Sequence, residues 1–185
     1  MLLEITSVIF ALLSIYYLIK ESKLGWYFGI INIITYGIIF YNKEIYTNCI
    51  LQTFFLIQSI YAIIKWSKKE NIEVKRLDVP TFITNHIPFL SLLICLSYMA
   101  VELLFGGKPT IIQSTIFSLS IYATILLMNK VLETWIFWIL NNILLIILLY
   151  DEHLYLSVGL YIIYIAMDIK GFIDWKRIYK SQNLR

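Results

Sequence analysis

Cysteine and histidine each occur only twice in this chain, and that scarcity removes several kinds of protein at once. Cys49 and Cys95 both fall in strongly apolar runs, where they pack as small apolar residues, so neither a disulfide framework nor a zinc spacing exists. His86 and His153 have no second ligand at a recognisable spacing, and "DEH" at 151–153 reads as a solvated turn rather than a metal site. No Walker sequence, HExxH or GxSxG occurs, which leaves no ATP motif and no recognisable nucleophile or metal constellation. No cofactor is expected. The start, "MLLEITSVIF", lacks a basic n-region and the first apolar run has no small-residue cleavage site, so no removed leader is expected either. Polar stretches are short. The longest, "SKKENIEVKRLDVPTFI" at 67–83, holds no soluble catalytic or nucleic-acid-binding domain.

What remains is apolar. Hydrophobic residues make up 60% of the 185 and mean hydropathy is +0.78, well beyond the roughly half-apolar make-up of a soluble domain. A helix crossing a bilayer needs about 20 mostly apolar residues. Seven such runs are present, near 2–20, 24–41, 46–66, 84–105, 109–128, 132–150 and 155–175. The net charge of +3 says less than its placement. With the N-terminus outside, thirteen Lys and Arg residues fall on the cytoplasmic side and only Lys43 and Lys108 outside, which is the positive-inside pattern. These basic residues read as topology signals and solvated helix ends, not as a nucleic-acid patch.

The chain also repeats itself. A shift of 109 residues lays "WYFGIINIITYGIIFYNKEIY" on "WIFWILNNILLIILLYDEHLY" without a gap, so that Trp26 meets Trp135, Phe28 meets Phe137, Asn32 meets Asn141 and Tyr41 meets Tyr150. The register continues through the next span, where Trp66 meets Trp175. Isoleucine matches are cheap in so apolar a chain; matched tryptophans are not. Each copy spans three helices, and an odd number of crossings leaves the chain on the opposite side. A fourth, unmatched helix restores the direction, so the expected architecture is all-α with seven transmembrane helices, two parallel three-helix repeats joined by a linker helix (3+1+3). The boundaries are 1–66 for the first repeat, 67–83 for a cytoplasmic loop, 84–107 for the linker helix, 108–178 for the second repeat and 179–185 for a cytoplasmic tail. Pro88 is expected in the first turn of the linker, with Gly106, Gly107 and Pro109 marking the turn after it.

Polar and aromatic residues inside these spans need an account. In "ETWIFWILNN", residues Trp135, Trp138 and Asn142 stand at i, i+3 and i+7, one stripe of a helix, with Asn141 off to its side. Two flat π-faces and an amide that both donates and accepts suit a planar heteroaromatic solute, especially a charged one. Trp135 is near a span end, where an interfacial belt explains it equally well. Trp138 and Asn142 lie deeper and favour a site. Asn32 and Asn141 occur in both copies and read as architecture, as helix-to-helix bonds. Asn142 and Trp138 have Ile33 and Gly29 opposite them, an asymmetry that an asymmetric solute requires. Tyr161, Tyr164 and Asp168 form a comparable stripe in the seventh span, and Asn48, Gln52, Phe55 and Ser59 another in the third. Asp168 either lines the path, reaches water, or pairs with Lys170 or a loop lysine. Together with Trp26, Asn32 and Asn141 it is a candidate gate or structural position.

The WxxWxxxN pattern at Trp135, Trp138 and Asn142 resembles the signature of the PnuC family of bacterial vitamin transporters. The segments "GWYFGIINIITYGIIFY", "LQTFFLIQSIYAIIKW" and "LYLSVGLYIIYIAMDIKGFIDWKR" are similar to that family's too, so the resemblance covers nearly all the chain outside 67–83. It implies a fold related to the SWEET sugar porters and a homotrimer in the bacterial cytoplasmic membrane, for which the Lys/Arg bias places the N-terminus outside and the C-terminus in the cytoplasm. It further implies facilitated uptake of nicotinamide riboside, a planar cation, with trapping by a cytoplasmic kinase. Trp135, Trp138 and Asn142 would then form part of the substrate site, and Gln52 matches the family's third-helix glutamine. Asn48, Tyr161 and Tyr164 join them as lining candidates. Where the family often shows tyrosine, this chain has Phe55; thiamine and riboflavin, carried by relatives, are the alternative substrates. From other classes, an intramembrane enzyme would need a constellation that the chain lacks, and a non-transporting scaffold would use its aromatic stripes for packing alone.

Overall fold

The computed structural model describes residues 2–42, 46–68, 73–105, 111–151, 153 and 155–184. Among them the regular structure is helical, with one isolated bridge between Lys75 and Val131. The helices are α1 (Leu2–Ile19), α2 (Leu24–Asn42), α3 (Tyr46–Ser67), a single turn α4 (Val79–Thr81), α5 (Ile87–Phe105), α6 (Ile111–Met128), α7 (Thr134–Asp151) and α8 (Tyr155–Gln182). Four windows, Leu24–Asn42, Phe82–Ala100, Ile111–Met128 and Thr134–Asp151, are long and apolar enough to cross a membrane by length and composition alone. Burial runs opposite to that of a water-soluble domain. Ser7, Ser118, Thr134, Asn141, Asn142 and Asp168 are buried, whereas Ile34, Ile38, Ile57, Ile64, Leu140, Ile143 and Ile147 are exposed. A hydrocarbon solvent explains this, because apolar side chains lose nothing by facing acyl chains while polar groups need internal partners.

The chain divides into two compact units, Met1–Ile72 and Glu73–Arg185. In the first, α2 packs between α1 and α3; in the second, α7 packs between α6 and α8, and α5 lies against α6. The repeat seen in the sequence returns at the corners. Glu21 turns the α1–α2 corner at φ 52° and Lys130, 109 residues on, turns the α6–α7 corner at φ 52°. Ser22 N–H donates to Tyr17 C=O at 2.9 Å, and Val131 N–H to Leu126 C=O at 3.0 Å. Each corner is a left-handed helix stop in which the six-to-one bond satisfies an otherwise orphaned carbonyl. A hydroxyl bridge ties each helix pair at matching positions with the donor exchanged. Ser14 Oγ donates to Gly25 C=O at 2.8 Å, and Thr134 Oγ1, in Gly25's place, donates to the carbonyl of Ala123, in Ser14's place, at 2.8 Å.

The approach to the linker departs from expectation. Residues 73–78 are not a free loop: Lys75 N–H donates to Lys130 C=O at 2.9 Å, Leu132 N–H to Lys75 C=O at 2.8 Å, and Glu133 Oε2 accepts Leu77 N–H at 2.9 Å. Asp78 then caps a new helical turn by accepting Thr81 Oγ1–H at 3.0 Å and Thr81 N–H at 3.3 Å. Helical structure therefore begins at Val79, with Pro80 in its first turn. Pro88 is not in the first turn, as the sequence predicted, but well inside. The chain accommodates it with a π-helical segment, Phe82–His86, in which Ile87 N–H reaches back to Phe82 C=O; widening the coil there relieves the clash a proline ring makes with the carbonyl four residues earlier. Ser97 Oγ, 3.2 Å from Ser118 Oγ, then fastens α5 to α6. The turn expected at Gly106, Gly107 and Pro109 lies outside the described residues. α8 runs past the predicted span end at 175 to Gln182, because Asp174 pairs with both Lys170 (3.4 Å) and Arg177 (3.6 Å) and supports a solvated continuation.

Candidate functional site

The second unit holds most of the residues singled out from the sequence. α7 starts at Thr134, whose hydroxyl is committed to Ala123, and this anchors the first turn and aims Trp135 at α8. The Trp135 ring is 2% exposed, lies edge-on to Trp175 with centroids 5.3 Å apart, and leaves no room for a side chain at Gly171, where a Cβ would sit 2.6 Å from the ring. The first unit repeats the motif with Trp26 edge-on to Trp66 at 5.6 Å. Matched indole pairs in both units mark this as a way of locking the second helix of each triplet to the third. The indole N–H groups of Trp26 and Trp135 are both buried without a partner among the described residues.

Two turns further along α7, Asn142 also faces α8. Its Nδ2 donates to Asp168 Oδ2 at 2.8 Å, with Asn142 4% and Asp168 3% exposed. Asp168 therefore neither reaches water nor pairs with Lys170, two of the roles its place near the span end allowed. Lys170 stands two residues on, on a different face of α8, and pairs one turn away with Asp174. Trp138 is turned about 60° from Trp135 around the helix and packs on the apolar cluster of Leu119, Tyr122, Ala123, Leu126, Val131 and Phe137. The stripe thus divides, Trp135 and Asn142 against α8 and Trp138 toward α6. Tyr164 and Tyr161, one and two turns before Asp168 on α8, are half-buried and meet edge-on at 5.5 Å.

The remaining candidates fall elsewhere. Asn32 donates Nδ2–H to Ser7 C=O at 2.8 Å and so ties α2 to α1. Its counterpart Asn141 is buried, its Oδ1 without a partner among the described residues. Gln52 is half-buried on α3 in the first unit; the side chain of Asn48 lies outside the described residues. A cavity of about 490 Å³ opens between the start of the linker and α6, lined by Leu77, His86, Phe89, Tyr122, Leu126 and Asn129 among others, and it contains none of the predicted site residues. No group of three or more potential metal ligands is found among the described residues. Sequence reasoning missed the Asn142–Asp168 contact, the Gly171 seat of Trp135 and the exchanged hydroxyl bridge. Only the last left a trace, a glycine and a threonine at equivalent positions, Gly25 and Thr134.

Residues 1–177 match the sequence profile of a family described as "Nicotinamide mononucleotide transporter". The chain belongs to this family. It is accordingly a multi-pass membrane transporter and not an enzyme. The nicotinamide riboside transporter PnuC of Escherichia coli (strain K12) is 24% identical to this chain over 209 aligned residues, covering 94% of this chain and 84% of the relative. The nicotinamide riboside transporter PnuC of Shigella flexneri is similar to the same extent. The crystal structure of the vitamin B3 transporter PnuC superposes with a TM-score of 0.82 at 19% identity, covering 97% of this chain and 82% of that one. At that identity the likeness establishes the fold.

Proposed function

We propose that this transporter carries a vitamin-like nucleoside, nicotinamide riboside, across the bacterial cytoplasmic membrane by facilitated diffusion. Alternating access operates around a site built on the second unit, the N-terminus lies outside, and a cytoplasmic kinase traps the product. A homotrimer is the working assembly. The observation that carries the reading is the α7 face at Trp138 and Asn142, a half-buried indole and an amide that meets a buried carboxylate 2.8 Å away, with Trp135 clamped behind it between Gly171 and Trp175. Flat aromatic surface with a polar edge-reader suits a planar, nitrogen-rich ring. The identity to nicotinamide riboside transporters over nearly the whole chain supports that substrate. Thiamine or riboflavin is the second reading, since Phe55 on α3 lacks the hydroxyl of the tyrosine that the family often shows there.

Uptake of labelled nicotinamide riboside into proteoliposomes tests the reading. Trp138→Ala and Asn142→Ala are expected to abolish uptake in protein that still expresses and folds, each with a lowered detergent melting temperature, because Trp138 packs on the apolar cluster and Asn142 partners Asp168. Normal uptake in both variants would remove this wall from the transport path, and uptake of thiamine but not the riboside would transfer the assignment.

A further inference from the structure

Asp168 has a hydrogen-bond donor but no positive charge. Among the described residues Asn142 is its partner, while the cations nearest along α8 are committed elsewhere, Lys170 and Arg177 both to Asp174. A carboxylate presents about four acceptor positions, and the single Nδ2–H of Asn142 fills one. The fold itself does not demand the charge. At the shift of 109 the first unit carries Ser59 where Asp168 stands and Ile33 where Asn142 stands, and that unit builds the same helix triplet, the same corner and the same indole pair without them. An acidic side chain buried at a membrane-spanning helix is costly unless something compensates it, so the compensation belongs to what the second unit handles.

We propose that Asp168 is the counter-ion for a cationic ring, and that the site on the second unit selects flat nitrogen heteroaromatics with a permanent positive charge, of the pyridinium or thiazolium class, over neutral rings of the same shape. The proposal rests on the transport reading above. Asn142 is a positioning residue toward Asp168, occupying Oδ2 and leaving Oδ1 for a ligand, on the face of α8 that carries Tyr164 and Tyr161, four and seven residues earlier. Those rings, edge-on to one another at 5.5 Å, offer the π-faces on which a cation rests. Charge is read by the carboxylate, flatness by the aromatics.

Binding to the full-length detergent-purified protein tests this with four probes: nicotinamide riboside, its neutral 1,4-dihydro form, cationic thiamine and neutral riboflavin. The readout is the ratio of affinities within each cation and neutral pair. In the parent the riboside is expected to bind roughly tenfold or more tightly than its dihydro form, the size of one charge-assisted contact, and Asp168→Asn is expected to bring that ratio near one. An unchanged ratio in Asp168→Asn, or a ratio near one in the parent, overturns the proposal. If the parent binds neither form of the riboside, the substrate reading fails separately. Thiamine and riboflavin then decide: thiamine preference lost in Asp168→Asn upholds the counter-ion, whereas riboflavin preference, no preference, or no binding of any probe overturns it. Should Asp168→Asn fail to fold, Asp168→Glu keeps the charge and must keep the parent's preference for cations.

Discussion

Replacing Gly171 with alanine adds one methyl group at the tightest seat in the second unit. The new Cβ would lie 2.6 Å from Cδ2 and 2.7 Å from Cε2 and Cε3 of Trp135, against about 3.5–4.0 Å for ordinary carbon contacts, so the ring must retreat by roughly 1 Å. It has nowhere to go. The contacted atoms belong to a rigid bicycle, 2% exposed, with Trp175 edge-on at 5.3 Å. Overpacking costs about 1–3 kcal/mol, and a rigid obstacle places this case at about 2–3. Alanine's better helix propensity returns about 1 kcal/mol, leaving a net loss of about 1–2 kcal/mol. For a chain of this size that lowers the melting temperature by roughly 2–8 °C, readable from intrinsic tryptophan fluorescence in detergent micelles. The first unit supplies the control, because the equivalent position is Ala62, beside an indole pair 5.6 Å apart. There Ala62→Gly is expected to destabilise by about 1 kcal/mol through propensity alone. A Gly171→Ala variant that melts at or above the parent temperature refutes the argument that Trp135 is hemmed in.

Glu21→Gly and Lys130→Gly should each raise the melting point, since both side chains sit at φ 52° in a region that costs an ordinary residue about 1 kcal/mol; unchanged melting in both would mean that the corners carry no strain. Glu133→Ala should cost about 1–2 kcal/mol by stranding Leu77 N–H, and should make 73–78 cleavable by added protease. Arg76→Ala, removing only a partner 58% exposed at 3.2 Å, should cost about 0–1 kcal/mol; equal losses would contradict that ranking. Asn142→Leu strands Asp168 and should destabilise strongly, while the Asn142→Leu/Asp168→Leu double variant recovers much of the loss, with a coupling of about 1.5–3 kcal/mol by melting in a double-mutant cycle. Additive effects would show that the 2.8 Å contact carries no energy.

Much of this was legible in the residues because lipid solvent acts on a helix locally. Runs such as 132–150 read as a span from composition alone, and the structure places α7 at Thr134–Asp151. Trp26 and Trp66 recur as Trp135 and Trp175 in the bare text, and their edge-on pairs recur in the fold. Pro88 misled because a proline near a predicted start reads as a first-turn residue, and nothing local announced that Asp78 would cap a helix beginning at Val79, ahead of the expected start at 84, or that a π-helical segment would absorb the ring.

The chain alone determined seven apolar helices, their duplication and the WxxWxxxN spacing, since these depend on residue type and order, which add up along one segment at a time. Only tertiary packing decided that Asn142 reaches across to Asp168 and that Trp138 turns toward α6 while Trp135 is clamped by Gly171 and Trp175. Those outcomes depend on which faces of two helices meet, and in a medium where every exposed face is equally apolar, hydropathy does not specify the neighbour. Close fit and polar pairing between helices do.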